Sequence, residues 1–427
     1  MALHHVLVPA HAQNRRPTAC SEHGKSFPKL ILTSNCVSWV SSVLGGAAPN
    51  VYVLIVARML QAIGGGAMLP SATSIVSDAF GERRATFIGL FTTIFPLGGV
   101  IGPNIGGFVI DHYSWRWLFF ANGPVGAAIF VAGLLLIQKQ SRNHQKRKID
   151  VIGVGLFSGG LMAILSAMTA WGNDPQLVQN PLTWMGVVLG VVLLAVFVWH
   201  EGRTPAPIIE IKLLRWRPYF AANLYSFIYG AAVFGFFSFI PYYATVAYGM
   251  TAAESGIILT PRSLAMMGAS ALSSFVLIRW GYRLPMILGV AFTSSSLLLL
   301  SQGFRDWTVF NVQVPNLVLM SVVVLLAGCG MGIAGPPSAN VALDLMPDKV
   351  AAVVGLRGMF RSTGGVFGTA IIILALSHVE DKAAGMQTIF LVLSVVVLLV
   401  VPVVFMMPDT ARQRRVAARN QREQDSN

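Results

Sequence analysis

Four arginines, Arg58, Arg262, Arg357 and Arg361, stand inside long stretches that are otherwise apolar. A guanidinium does not give up its proton in practice. In such a stretch it must find an acceptor, snorkel to a polar surface or face a wet cavity, which makes each arginine a candidate functional group. Gln61 follows Arg58 at the i+3 position. Arg357 and Arg361 fall at i and i+4 on one helical face, where an interfacial anchor and a substrate contact explain them equally well. The second constellation is Gly98-x-x-x-Gly102-Pro103-x-x-Gly106-Gly107. Small residues at this spacing let helix backbones approach closely in an apolar medium. Pro103, with Pro96 two turns earlier, predicts a bend. Packing alone is the plainer reading of these glycines, although the full spacing with proline inside it is more specific than a lone GxxxG.

Other chemistries find little support. The eight histidines lie in tails, loops or the ends of apolar runs, and none meets a second ligand near the middle of a run. No metal site, nucleophile or cofactor is therefore expected. His23-Gly24-Lys25-Ser26 ends like a phosphate loop, but Ala19 stands at the first glycine position. Cys20, Cys36 and Cys329 give no disulfide framework.

The elements that must position these groups follow from composition. Of 427 residues, 55% are hydrophobic and only 11% charged, with a mean hydropathy of +0.67. A soluble core cannot hide that much apolar surface, so the lipid bilayer is the solvent. Twelve uncharged runs predict spans near 30–48, 51–73, 85–111, 118–138, 151–171, 182–200, 219–243, 252–278, 284–302, 314–339, 349–378 and 386–407. Nineteen Lys and Arg fall on one set of loops and tails and three on the other, which predicts both termini in the cytoplasm. A net charge of +13 is thus the usual inner-face excess, and no nucleic-acid partner is expected.

The chain also repeats itself. Gly89-Leu90 and Gly98-Gly99-Val100-x-Gly102 recur as Gly355-Leu356 and Gly364-Gly365-Val366-x-Gly368, at an offset of 266 residues throughout. Gly65-x-Ala67-x-x-Pro70-Ser71-Ala72 recurs at an offset of 267 as Gly332-x-Ala334-x-x-Pro337-Ser338-Ala339. Parallel repeats of helical bundles are a transporter signature. Four spans precede the second copy within its half and only two precede the first. Spans 151–171 and 182–200 have no counterpart. The expected architecture is all-α, four helices plus two inserted plus six, as though a six-plus-two-plus-six pattern lacked its first two helices.

These motifs resemble the major facilitator superfamily, and within it the fourteen-helix drug:proton antiporters of the QacA/EmrB type. The Gly98–Gly107 run is similar to that family's antiporter motif. Arg58-Met59-Leu60-Gln61 resembles its arginine motif, with Ala62 where glycine is usual. Trp115-Arg116-Trp117-Leu118-Phe119-Phe120-Ala121-Asn122-Gly123-Pro124 resembles the entry to its sixth helix. The resemblance covers about residues 30–410 and implies proton coupling at Arg58 and Gln61, with a gate at Gly98, Gly102, Pro103, Gly106 and Gly107. It departs in two places. The family's first helix with its membrane-embedded Asp is missing, and so is the loop that latches the inward gate. No Asp or Glu falls near a span midpoint to serve as proton carrier.

The expected segments are a cytoplasmic stretch 1–29, an incomplete bundle 30–138, a basic loop 139–150 and two inserted helices 151–200. An amphipathic linker 201–218, a six-helix bundle 219–407 and a basic tail 408–427 follow. The expected function is proton-coupled export of drugs, toxins or other amphipathic or cationic small molecules by a monomer in the plasma membrane. A metabolite carrier on the same fold, or a truncated product that does not transport, are the alternatives. Asn122, Tyr225, Tyr229, Phe236, Arg262, Arg357 and Arg361 are candidates for the substrate cavity. The rings of 219–243, including Phe227, Phe234 and Phe237, fit a cavity wall and lipid-facing bulk equally well.

Overall fold

A computed structural model describes residues 27–409, except 67, 81–86, 88–89, 92–93, 137–149, 206, 210, 306, 310–311 and 347–349. The segment 1–26, most of the basic loop and the tail beyond 409 lie outside the described residues. Each expected span overlaps a helix among the described residues. Nine helices are long and apolar enough to cross a membrane, among the described residues and by length and composition. Helices Phe27–Gly46, Ile94–His112 and Ala252–Trp280 occupy the other three expected places. The only sheet among the described residues is a two-stranded antiparallel ladder, Thr308–Val309 against Val312–Gln313, in the loop before Asn316.

Local chemistry sets the boundaries. Asp150 and Asn180 cap Val151–Asn173 and Pro181–Glu201 by accepting from Gly153 and Leu182 N–H groups. Thr251 and Glu254 form a reciprocal capping box that starts Ala252–Trp280. The run expected as one helix over 219–243 is interrupted. Arg217–Tyr229 passes into a π turn at Gly230–Phe234, then Gly235–Phe237, and resumes as Ile240–Tyr248.

Helix Asn316–Leu345 packs between Ala252–Trp280 and Arg283–Ser301, and the latter packs on Lys382–Leu398. Glycines set these approaches. A Cβ on Gly328 or Gly332 would run into the backbone of Arg262 or Met266. Val350–Ser377 lies along Arg217–Tyr229 and the π turn. A fully enclosed cluster of Phe236, Tyr243, Ile240, Met386 and Phe390 packs Gly235–Phe237 and Ile240–Tyr248 against Lys382–Leu398. The expected inserted pair forms a helical hairpin, closed at one end by Trp171 Nε1 donating to Thr183 Oγ1 at 2.9 Å. The first part of the chain packs Phe27–Gly46 against Val51–Gly66 and Asn122–Leu136. It meets the last part along two seams, Ile94–His112 on Ala252–Trp280 and Met68–Phe80 on Val350–Ser377.

Candidate functional site

The first seam carries the expected gate motif. Proline inside Ile94–His112 leaves a backbone bond unmade, and glycines bring the helix onto its neighbour. A Cβ on Gly107 would stand 2.7 Å from the Ala252 carbonyl oxygen, and one on Gly99 would stand 2.7 Å from Ser263 Oγ. From the other side, Gly256 admits the Pro103 carbonyl. Polar groups cross the same seam. Asn104 Nδ2 donates to Thr260 Oγ1 at 2.5 Å, and the Ala253 N–H donates to Asp111 Oδ2 at 2.9 Å. The packed face thus runs through Gly99, Pro103 and Gly107. Gly98, Gly102 and Gly106 point elsewhere, and a Cβ on any of them meets nothing within 4 Å among the described residues.

Arg58 and Gln61 belong to a polar chain between two helices. Arg58 Nη1 donates to Gln61 Oε1 at 2.8 Å, and Gln61 Nε2 donates to Ser42 Oγ at 2.6 Å. Ser42 in turn donates to the Ser38 carbonyl at 3.0 Å. The guanidinium also lies 5.5 Å from the Phe119 ring centroid. Ser42 carries no sequence signal that marks it as the acceptor. Asn122 begins Asn122–Leu136 and faces outward.

The remaining candidates gather on the last part of the chain. Tyr225 and Tyr229, one turn apart, stack with ring centroids 5.5 Å apart and an interplanar angle of 12°. Both phenols are buried and neither oxygen has a hydrogen-bond partner among the described residues. Arg357 and Arg361 approach them from Val350–Ser377, within electrostatic range of Tyr229. Arg357 Nη2 donates to Ser338 Oγ at 2.6 Å, while its buried Nε has no partner among the described residues. Arg262 lies over the Phe237 ring at 4.5 Å from its centroid, and its Nε is likewise buried without a partner among the described residues. Phe236 is fully enclosed, edge-on to Phe390 at 4.9 Å. The Phe234 side chain lies outside the described residues.

One cluster was not singled out from the sequence. His200 Nε2 lies 3.0 Å from both Asp150 carboxylate oxygens, the only ion pair among the described residues. Next to it, buried Glu201 accepts from the Ile208 and Ile209 N–H groups at 3.2 Å each. The hairpin's open end is thereby tied to the segment leading into Arg217–Tyr229. The hydrogen bond from Gly153 N–H, helped by His200, holds the Asp150 carboxyl below the ordinary range. An Asp before one span and a His at the end of the next were the available signal.

The sequence pattern of the Major Facilitator Superfamily matches residues 27–369 and, in a second placement, 223–425. The chain is 31% identical over 355 residues to the "Multidrug transporter protein MdtP" of Bacillus subtilis (strain 168), covering 81% of this chain and 62% of that protein. It is 28% identical to "Multidrug resistance protein 3" of the same organism, over 82% of this chain and 67% of that one. It is 27% identical to the "Tetracenomycin C resistance and export protein" of Streptomyces glaucescens, over 80% of this chain and 62% of that one. The chain thus spans a little over three-fifths of the length of two of these relatives. The extent of the match places the chain in the major facilitator superfamily, and its apolar helices make it a multi-pass membrane protein.

Proposed function

We propose that the chain exports amphipathic small molecules, drugs or toxins among them, across the plasma membrane in exchange for protons, with both termini cytoplasmic. The observation that carries this reading is the seam between Ile94–His112 and Ala252–Trp280. It is narrow because of glycine, carries Pro103 inside its first helix and is crossed by exchangeable polar contacts such as Asn104–Thr260. A contact of this kind can part and re-form as two bundles rock around a central site. The resistance and export names of the relatives support outward transport. Arg58, held by Gln61, sets the electrostatics of the coupling region. Arginine does not titrate, so the proton itself rides on another group.

Dye accumulation in cells expressing the chain tests this reading. Expressing cells should accumulate less ethidium than vector controls, and a protonophore should abolish the difference. Equal accumulation at every proton gradient would defeat the export reading.

A further inference from the structure

We propose that Arg357, Tyr225 and Tyr229 form a recognition point for an acidic group, so that the molecules exported include amphipathic carboxylates. This rests on the export reading and narrows its substrate class.

The local inventory is rich in donors and poor in acceptors. Arg357 brings guanidinium N–H groups, and the two phenols bring O–H groups. Of these, the Arg357 Nη2 contact to Ser338 is satisfied by a neutral hydroxyl, which is itself committed to the Gly335 carbonyl at 2.8 Å. The Nε of Arg357 and the oxygens of Tyr225 and Tyr229 are buried and have no partner among the described residues. The two tyrosines are 2% and 9% exposed, so bulk solvent does not stand in for the missing partner. No carboxylate pairs with Arg357 among the described residues. Burying polar groups this way is unfavourable unless a partner arrives. The partner that answers a guanidinium and two phenols together is an oxyanion with several lone pairs, and a carboxylate can take two parallel bonds from arginine.

The frame is rigid. A Cβ on Gly364 or Gly368 would run into the backbone of Phe227 or Ala231, and one on Gly230 into that of Arg361. The two helices are therefore locked backbone to backbone beside the tyrosines and arginine. The π turn at Gly230–Phe234 begins immediately after Tyr229, and such turns recur at functional sites. The stacked tyrosine rings offer a flat apolar partner for the body of an amphiphile. Arg262 adds a second buried guanidinium with no carboxylate partner, close to Gly99 at the seam.

An acidic group can come from an exported molecule or from a lipid headgroup, and the test separates them. Purified protein in phosphatidylcholine nanodiscs is titrated with 1-pyrenebutyrate, its neutral amide and a pyrene alkylammonium, read by fluorescence. The acid should bind about tenfold tighter than the amide. Arg357→Gln should erase most of that preference and leave amide binding unchanged, Arg357→Lys should restore part of it, and Tyr225→Phe should weaken it about threefold. Equal binding of acid and amide, or a preference that survives Arg357→Gln, overturns the proposal. If the amide and the ammonium bind and are exported while the acid is not favoured, the acidic-substrate inference alone fails. If none of the three binds or is exported, the export reading fails with it. Nanodiscs with added phosphatidylglycerol should leave pyrenebutyrate affinity unchanged. Its displacement there, in the parent protein but not in Arg357→Gln, assigns the site to lipid headgroups and overturns the substrate assignment.

Discussion

The two copies of the internal repeat share a glycine pattern and use it differently. In Val350–Ser377, Gly364 and Gly368 face the backbone of Arg217–Tyr229 and its π turn so closely that a single methyl group has no room. In Ile94–His112, the matching Gly98 and Gly102 meet no described residue, and contact is made through Gly99 and Gly107 instead. One copy is a fixed joint within the last part of the chain. The other offers a bare glycine face beside a seam between the first and last parts. Equal spacing in sequence therefore does not imply equal use; the neighbour decides which glycines pack.

The largest effect should come from filling the fixed joint. Gly364→Ala places a Cβ on the Phe227 carbonyl and should destabilise by about 3 kcal/mol or more, seen as lost monodisperse protein in detergent. Gly98→Ala, at the matching position, should stay within about 1 kcal/mol because no described residue opposes the methyl group. Equal losses at the two positions would erase the contrast. Next in size is Gly102→Leu, which should leave expression near normal and abolish efflux if the bare face closes on a partner during the cycle. Unchanged dye export in that variant would remove Gly102 from the gate. Gly107→Ala presses on the Ala252 carbonyl at the seam and should slow efflux more than it lowers thermal stability, measured side by side.

The smallest effect concerns Asp150. Its carboxyl titrates below the ordinary value of 3.8 in the folded chain, chiefly through the Gly153 N–H and then His200. A depressed acid stabilises above its unfolded pKa and loses that contribution as pH falls through the folded one. Asp150→Asn should therefore lower the unfolding temperature at pH 7, and the gap from the parent should close in buffers more acidic than that value. A gap independent of pH would mean that capping geometry, not charge, holds the hairpin.

Much of the helical layout was legible because a charge-free run of about twenty residues has few alternatives in lipid. The break between Tyr229 and Ile240 was not, since no residue type encodes a π turn and its helix-breaking contacts are tertiary. Arg58 and Gln61 were legible as a pair, whereas Ser42 lies on another helix and only packing brings it to them. Spacing gave no means of telling the packed Gly99 and Gly107 from the open Gly98 and Gly102. Glycine carries no side chain whose polarity would mark a face.

The central claim, that one glycine seam moves while its repeat counterpart stays fixed, is tested most directly by spin-label distances in a variant whose Cys20, Cys36 and Cys329 are replaced. Phe108 and Ile257, both facing outward, report on the first seam, and Ser238 with Ile371 on the second joint. Adding an exported amphiphile or shifting pH should broaden or move the Phe108–Ile257 distance distribution and leave the Ser238–Ile371 distribution unchanged. Two distributions that stay still together, or move together, would contradict the account.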